Sequence, residues 1–295
     1  MKYTITQFRK DFPDDGACLE YLLKNRFPNL KCPLCSKTSF YKVKNTKKFS
    51  CSCGHIISPT ANTIFHKSAT SLTDWFFAIY LFSNSKNGVS SNELQRHLGC
   101  TYKTAWRIGH KIRSLMKQES GKLSGIVESD ETYIGGRANQ ANKRKDKGIV
   151  MAMVQRKGNV KSVHIEDAST SSMLKVLREN VKFGSRVISD DHSAYKGNKV
   201  LRIGMFHSTI KHSKKEYVRG NVYTNTVEGF FSQFKRSLDG TYHSVSLKHL
   251  QSYADEFSFR YNHRSACFYE LLYRLCGQQG LRGKRIEIFQ GARVS

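Results

Sequence analysis

Val127–Gly136 reads VESDETYIGG. Thr132, Tyr133 and Ile134 favour a strand, and the glycine pair Gly135–Gly136 predicts that it runs into a tight turn. The stretch carries three acids, Glu128, Asp130 and Glu131, in a chain with 49 Lys+Arg against 23 Asp+Glu. A carboxylate cluster on a buried strand is costly unless something neutralises it. The acids are therefore either solvated surface or the holders of a cation, and the rest of the chain has to decide between the two.

The 295 residues allow one to three domains, and the 39% hydrophobic content suits a soluble protein with a basic surface. The longest apolar run, Trp75–Phe82 (WFFAIYLF), is far too short for a membrane span. The N-terminus MKYTITQFRKDF lacks a secretory apolar region, so the expected location is the cytoplasm. Eight cysteines without an export signal point to thiols or metal ligands, not a disulfide framework. The net charge of +26 far exceeds what solubility requires and points to a polyanionic partner, with nucleic acid favoured over a membrane surface because the basic residues are spread along the chain.

Working outward from VESDETYIGG, strands are expected at GIVMAMVQ, VKSVHIED and SRVISDD, with a helix before the last, which suggests an α/β or α+β layer domain. A basic, glycine-bounded loop, Gly135–Gly148, separates the first two strands and carries Lys143, Arg144 and Lys145. Two long helices are expected near 224–238 and 246–261, three more over 71–117, and a Pro-broken helical stretch over 1–28.

The segment 30–66 is rich in cysteine. CPLC supplies Cys32 and Cys35, and CSCGH supplies Cys51, Cys53 and His55, with fifteen residues between the two pairs. This is close to zinc-ribbon spacing, in which two knuckles place four thiolates around one structural Zn²⁺. The second pair is CxC, so the turn there is tighter and His55 stands as the substitute ligand. The plain alternative is four unliganded thiols.

Val89–Arg113 contains two helices about a Gly99–Cys100 turn. Ser90 with Glu93 makes a capping box, and Val89 with Leu94 a hydrophobic staple. Ala105, Ile108, Ile112 and Leu115 form the apolar side of the second helix, leaving Tyr102, Lys103, Arg107, His110 and Lys111 largely outward. A short helix, a glycine turn and a basic second helix match helix-turn-helix DNA recognition. A helical linker with a solvated basic face is the alternative. The preceding helix, with Trp75, Phe76, Ile79 and Phe82, would complete a trihelical core.

Further acids fall at Asp190–Asp191, ending a strand, and at Glu228, in TNTVEGFFSQFKR. Val227, Phe230, Phe231, Phe234 and Leu238 make one stripe of that helix. Glu228 and Lys235 lie just beyond one edge of it, and Asn225 lies further round. Carboxylates from two strands and a helix suit a pair of divalent ions, which prefer carboxylate and phosphate oxygens and clamp the attacking and leaving oxygens of a phosphodiester.

These motifs together resemble the DDE-type transposases of bacterial insertion sequences, in the group with an N-terminal zinc ribbon. The resemblance runs from Cys32 to Arg264 and rests on CPLC…CSCGH, the segment SPTANTIFHKS…KIR, ESDETYIGG, ISDDHSAY and YVRGNVYTNTVEGFFSQFKR…YNHR. It implies an RNase-H-like catalytic core and a metal-binding triad of Asp130, Asp190 and Glu228, with Asn225 the rival for the third position, Asp191 for the second, and Lys235 as the basic residue that follows the third acid. It also implies two Mg²⁺ (or Mn²⁺) ions, double-stranded DNA as element ends and target, a homodimer or larger oligomer on DNA, and a nucleoid-associated bacterial location. The expected organisation is multidomain α+β: an N-terminal helical segment (1–29), zinc ribbon (30–68), helix-turn-helix (69–120), RNase-H-like α/β core (121–275) and basic tail (276–295). The expected activity is cleavage at the element ends followed by strand transfer. A catalytically inert DNA-binding regulator and a metal nuclease without strand transfer are the other readings.

Overall fold

The computed structural model describes residues 3–135, 147–210 and 218–277. Thr4 and Gln7 exchange a reciprocal capping box at the start of α1 (Ile5–Asp11), and Asp14 accepts the Ala17 N–H to begin α2 (Asp15–Arg26). Of the apolar residues that pattern this stretch, Phe8, Phe12, Cys18, Leu19 and Leu22 are buried and Leu23 is half-buried. Three short antiparallel strands follow, β1 (Phe40–Lys42), β2 (Phe49–Cys51) and β3 (Ile56–Ile57). In α3 (Leu72–Asn84), Trp75 and Phe76 pack on Phe65, and Phe76 on Phe12, with ring centroids 4.7–5.8 Å apart.

The chain divides into two compact units, the described residues of Met1–Asn84 with Phe268–Ser295 and those of Ser85–Cys267. The division falls inside the expected 69–120 segment. The aromatic residues of α3 group it with α1, α2 and the ribbon, whereas the next two helices group with the large sheet.

In the second unit, Ser90 caps α4 (Ser91–Leu98), Gly99 ends it in the left-handed conformation (φ 60°), and Thr101 caps α5 (Tyr102–Leu115). Glycine is suited to that turn because it has no Cβ to clash at positive φ. There follow β4 (Ile126–Ile134), β5 (Gly148–Gln155), β6 (Val160–Ile165), α6 (Thr170–Asn180), β7 (Arg186–Ser189), a 3-10 turn at Ser193–Tyr195, α7 (Lys199–Arg202), β8 (Phe206–Thr209), α8 (Asn225–Ser237), a π-helical segment Leu238–Tyr242, and α9 (Leu247–Asn262). The last helix described, α10 (Cys267–Leu275), belongs to the first unit, where Phe268 stacks on Tyr3 at 4.3 Å.

The five strands lie in the order β6-β5-β4-β7-β8. β4, β5 and β6 pair antiparallel, whereas β4–β7 and β7–β8 are parallel. Both faces are covered. Val127, Met151 and Met153 pack with Met173 and Leu177 of α6 on one face. Ile134, Val150, Ala152 and Val154 pack with Val227, Phe231 and Phe234 of α8 and Leu250, Ala254 and Phe257 of α9 on the other. β5 is buried along nearly its whole length, which explains its unbroken apolar run, GIVMAMV. β4 stands at the centre of the sheet yet carries five consecutive polar residues, 128–132. A central strand built only for stability has no use for them.

α5 is tied to α9 by a buried ionic hub that the sequence did not announce. Glu256, fully buried, accepts from Arg113 Nε (2.8 Å), Arg260 Nη2 (2.6 Å) and the Tyr242 hydroxyl (2.9 Å). The Tyr242 oxygen in turn accepts the Val89 N–H at 3.1 Å. Gly88 (φ 92°) has to be glycine because a Cβ there would overlap the Tyr242 hydroxyl. Among the described residues, no helix is long and apolar enough to cross a membrane.

Candidate active site and metal centre

The four ribbon cysteines converge. Cys32 Sγ lies 3.4 Å from Cys53 Sγ, Cys35 Sγ lies 3.4 Å from Cys51 Sγ, and all four sulfurs fall within 4.8 Å of one another. Zn–S bonds of about 2.3 Å in a tetrahedron put sulfurs about 3.8 Å apart, so the donor set fits Zn²⁺. Each knuckle is shaped by its backbone. The Cys32 carbonyl accepts the Ser36 N–H (2.8 Å) and the Cys51 carbonyl accepts the Gly54 N–H (2.9 Å), with Ser36 (φ 58°) and Gly54 (φ 89°) both left-handed. Gly54 lets the CxC pair close its tighter turn, so Cys51 and Cys53 both reach the centre and His55 is not needed there. The backbone N–H of Cys53 draws the Cys51 thiol down, while the neighbouring thiols push Cys35 up.

On the sheet, β4 and β7 run parallel with Glu128 opposite Ile188. Carried two residues past that last pair, the same register would set Asp130 against Asp190, although β7 itself ends at Ser189. Asp190 Oδ1 accepts the His192 N–H at 3.0 Å, and Asp130 Oδ1 accepts the Glu131 N–H at 2.9 Å. Both aspartates are half-buried, and Asp191 is half-buried as the next residue of the turn.

Glu128 answers half of the opening question. It is neither surface nor metal ligand. Its side chain is fully buried, with Oε2 accepting the backbone N–H of Thr226 (2.8 Å) and Val227 (3.2 Å), and Oε1 accepting Thr226 Oγ1 (2.9 Å) and Arg156 Nε (2.7 Å). A helix start leaves its first N–H groups unpaired and carries partial positive charge, so a carboxylate suits it. Arg156 is completed by the carbonyls of Asn221 and Tyr223 and lies over the Tyr223 ring at 3.5 Å. Glu128 thereby pins the first turn of α8, which bears Asn225 and Glu228, to the face of β4 that bears Asp130.

On α8, Val227, Phe230, Phe231 and Phe234 are buried, whereas Asn225, Glu228 and Lys235 are all exposed. Glu228 Oε1 accepts the Thr224 hydroxyl at 2.9 Å. Burial thus does not separate Glu228 from Asn225. No three of Asp130, Glu131, Asp190 and Glu228 bring their oxygens all within 4.8 Å of one another among the described residues. Two carboxylates about 4 Å apart repel by ~4 kcal/mol at an effective dielectric of 20, so such a set closes up only around a cation.

Glu131 differs from its neighbours. Its side chain is 8% exposed, its Oε2 is buried with no hydrogen-bond partner among the described residues, and His192 Nε2 stands 3.8 Å from Oε1. Burial, then the charges of Asp130 and Asp190, pushes its carboxyl up to about 7. Carboxylate oxygens such as those of Asp130, Asp190, Glu131 and Glu228 are of the kind that hard divalent cations such as Mg²⁺ or Mn²⁺ prefer.

On α5, Tyr102, Lys103 and Arg107 are exposed as expected, and so is Trp106. Lys111 and His110 are half-buried. The outward placement of His110 is corrected. Its ring lies 4.5 Å from His249 of α9 and 4.1 Å from Trp106, because the helix turns that edge onto α9. Burial, with Arg113 beside it, holds the His110 imidazole down to about 4. Arg113, in the last turn of α5, is buried by its partner Glu256, where helical phase alone gives no sign of an ion pair. Lys143, Arg144 and Lys145 lie outside the described residues.

Residues 122–262 match the family model of the ISXO2-like transposase domain, and residues 13–55 match that of the transposase zinc-ribbon domain. An uncharacterized protein in transposable element ISH50 of Halobacterium salinarum is 25% identical over 275 residues, covering 85% of this chain and 92% of that protein. A chain in the cryoEM structure of the simian T-cell lymphotropic virus intasome in complex with PP2A regulatory subunit B56 gamma has 14% identity and a TM-score of 0.29, over 57% of this chain and 60% of that one. This protein thus carries, in that order along one chain, a transposase zinc-ribbon domain and an ISXO2-like transposase domain.

Proposed function

We propose that the chain binds the ends of its own insertion element and carries out both strand cleavage and strand transfer at one divalent-metal site. The observation that carries this reading is the parallel pairing of β4 with β7, whose last pair, Glu128 with Ile188, stands two residues before Asp130 and Asp190, with the first turn of α8 fastened by Glu128 to the Asp130 face. A sheet in the order β6-β5-β4-β7-β8, antiparallel on one side and parallel on the other, supports an RNase-H-like core.

Asp130, Asp190 and Glu228 hold the metal ions, with Asn225 the competing third ligand and Asp191 the competing second. Mg²⁺ or Mn²⁺, when bound, supplies activation of the attacking hydroxyl group and charge neutralisation at the leaving oxygen. The rest falls to the chain. Lys235, one face along α8 from Glu228, meets DNA phosphate. Glu128 and Arg156 keep α8 in register. No Ser or Tyr nucleophile is assigned, since hydrolysis and attack by a 3′-OH need no covalent protein–DNA intermediate.

The helix-turn-helix of α4 and α5 reads double-stranded DNA through Tyr102, Lys103 and Arg107, with Lys111 at its margin and Trp106 added to the set. His110 serves the packing of α5 on α9 instead. The zinc ribbon, with one structural Zn²⁺, adds a second DNA-binding module. The +26 charge supplies non-specific affinity, and work on two element ends requires a dimer or larger oligomer. In the cell the protein is nucleoid-associated.

The test is cleavage and joining of DNA carrying the element's ends. Asp130→Asn, Asp190→Asn and Glu228→Gln are expected to lose both reactions and keep end binding. Asn225→Ala active with Glu228→Gln inactive makes Glu228 the third ligand, and the reverse makes it Asn225. Cleavage at the wild-type rate in both aspartate variants overturns the site. Specific binding without cleavage by the wild-type protein in Mg²⁺ or Mn²⁺ turns the reading to an inert regulator, and cleavage without joining to a nuclease.

A further inference from the structure

The orphaned oxygen of Glu131 has no role in the three-ligand scheme. We infer that Glu131 is a further carboxylate of the divalent-metal site, with its buried Oε2 as the ligand atom. This inference rests on the proposed catalytic site.

Three observations support it. First, Glu131 Oε2 is the buried side-chain oxygen or nitrogen left without a hydrogen-bond partner among the described residues, on a side chain only 8% exposed. A buried carboxylate oxygen with no donor is costly, and native folds seldom keep one without an ion or water to meet it.

Second, the surroundings are anionic. Asp130 and Asp190 both act on Glu131. The same three carboxylates act on the buried Tyr195 hydroxyl, which is bonded to Ser129 at 3.2 Å.

Third, the backbone opens towards this point. The pairing of β4 with β7 ends at Glu128 and Ile188, and the chain after Ser189 turns away through Asp190 and His192. Asp130 and Glu131 project to opposite faces of β4 by the strand period. Both nevertheless lie past the last β4–β7 pair, at the open end of that pairing. His192 closes one side of it. Its N–H holds Asp190 Oδ1, and its Nδ1 accepts the Ala194 N–H at 3.3 Å, which leaves Nε2 to carry the proton on the side of Glu131 Oε1. Oε1 therefore has a protein-side neighbour, and Oε2 is left for the cation.

The experiment is a calorimetric titration of the zinc-loaded full chain with Mn²⁺ in the absence of DNA, for the wild type, Glu131→Gln and Asp130→Asn. Glu131→Gln is expected to weaken Mn²⁺ binding at least about 10-fold, the smallest loss seen when groups supporting a metal site are removed. Its melting temperature in metal-free buffer should equal or exceed that of the wild type, because the substitution relieves repulsion from Asp130 and Asp190. Wild-type Mn²⁺ affinity in Glu131→Gln, alongside loss in Asp130→Asn, overturns the inference and leaves the catalytic site standing. Wild-type affinity in Asp130→Asn removes the catalytic site itself, and the inference with it. Should the glutamine variant fail to fold, Glu131→Asp carries the test. Its carboxylate, drawn back by one methylene, is expected to bind Mn²⁺ more weakly, and wild-type affinity there is equally fatal.

Discussion

Replacing Glu128 with glutamine keeps the shape of the side chain and removes its charge, and the four bonds it makes allow the cost to be worked out. The glutamine still offers an oxygen to the N–H groups of Thr226 and Val227. Its amide cannot accept from Arg156 Nε with the other end, so the 2.7 Å ion pair is lost. Breaking a buried pair from one side costs ~3–5 kcal/mol when the other charge is stranded. Arg156 is not wholly stranded, since it is 14% exposed and retains two backbone carbonyls and the Tyr223 ring. The lower end therefore applies, and the expected loss is ~3 kcal/mol, part of it the weaker complement to the α8 dipole. Native-state hydrogen exchange reads this at the site. The amides of Thr226 and Val227 should exchange about 100-fold faster, at ~1.4 kcal/mol per factor of ten. End binding should stay within about twofold, while cleavage falls because Glu228 and Asn225 ride on the same first turn. Arg156→Met and the double variant complete the cycle, with a coupling energy of ~1–3 kcal/mol expected for contacting groups. Unchanged protection at Thr226 and Val227, or a loss under ~1 kcal/mol, would refute the view that Glu128 holds α8 in place.

Four further outcomes follow from other parts of the molecule. Metal analysis should find one Zn²⁺ per chain, lost in Cys53→Ser and kept in His55→Ala, and chelation should raise hydrogen exchange over 30–57 first, since so short a segment has little core of its own. The low imidazole value of His110 means that the folded state binds its proton less tightly than the unfolded chain, so stability is complete above the ordinary histidine value of 6.5 and is lost as pH falls from there towards 4. Thermal melts of His110→Asn between pH 7 and 4.5 should show a flatter pH dependence than the wild type, and an identical slope contradicts the buried placement. Lys103→Ala and Arg107→Ala should each lower the salt slope of end binding by about 0.9 if each neutralises one phosphate, with Arg107 also relaxing sequence preference. Gly88→Ala should melt well below the wild type through the Tyr242 overlap and the strained φ of 92°, whereas Gly229→Ala, with open space around its Cβ and a helical backbone, should not.

Much of this was legible beforehand because the signals are local. Cys32, Cys35, Cys51 and Cys53 lie on two short turns, and the spacing of each turn confines its sulfurs wherever the rest of the chain goes. Helical period alone placed Val227, Phe230, Phe231 and Phe234 on a buried stripe and left Glu228 and Lys235 outside it. Ser90, Gly99 and Thr101 marked the ends of α4 and α5 by backbone chemistry that needs no distant partner. The compartment-scale expectation of a polyanionic partner came from net charge, which is independent of fold.

The tertiary structure decided the rest, for one physical reason. A period assigns a residue to a face of its own element but does not say which charge will stand opposite it. Glu128 and Asp130 share a face of β4, yet one caps a helix almost a hundred residues later in the chain and the other accepts the N–H of its own neighbour Glu131. Nothing in the helical phase of α5 paired Arg113 with Glu256 or His110 with His249 before α9 brought them together. Glu131, one residue from the candidate ligand Asp130, is set apart only by its burial and by an oxygen with no partner. The acids of VESDETYIGG were visible in the sequence as a group, and only the packing of α8, α9 and the Asp190 turn gave each a different task.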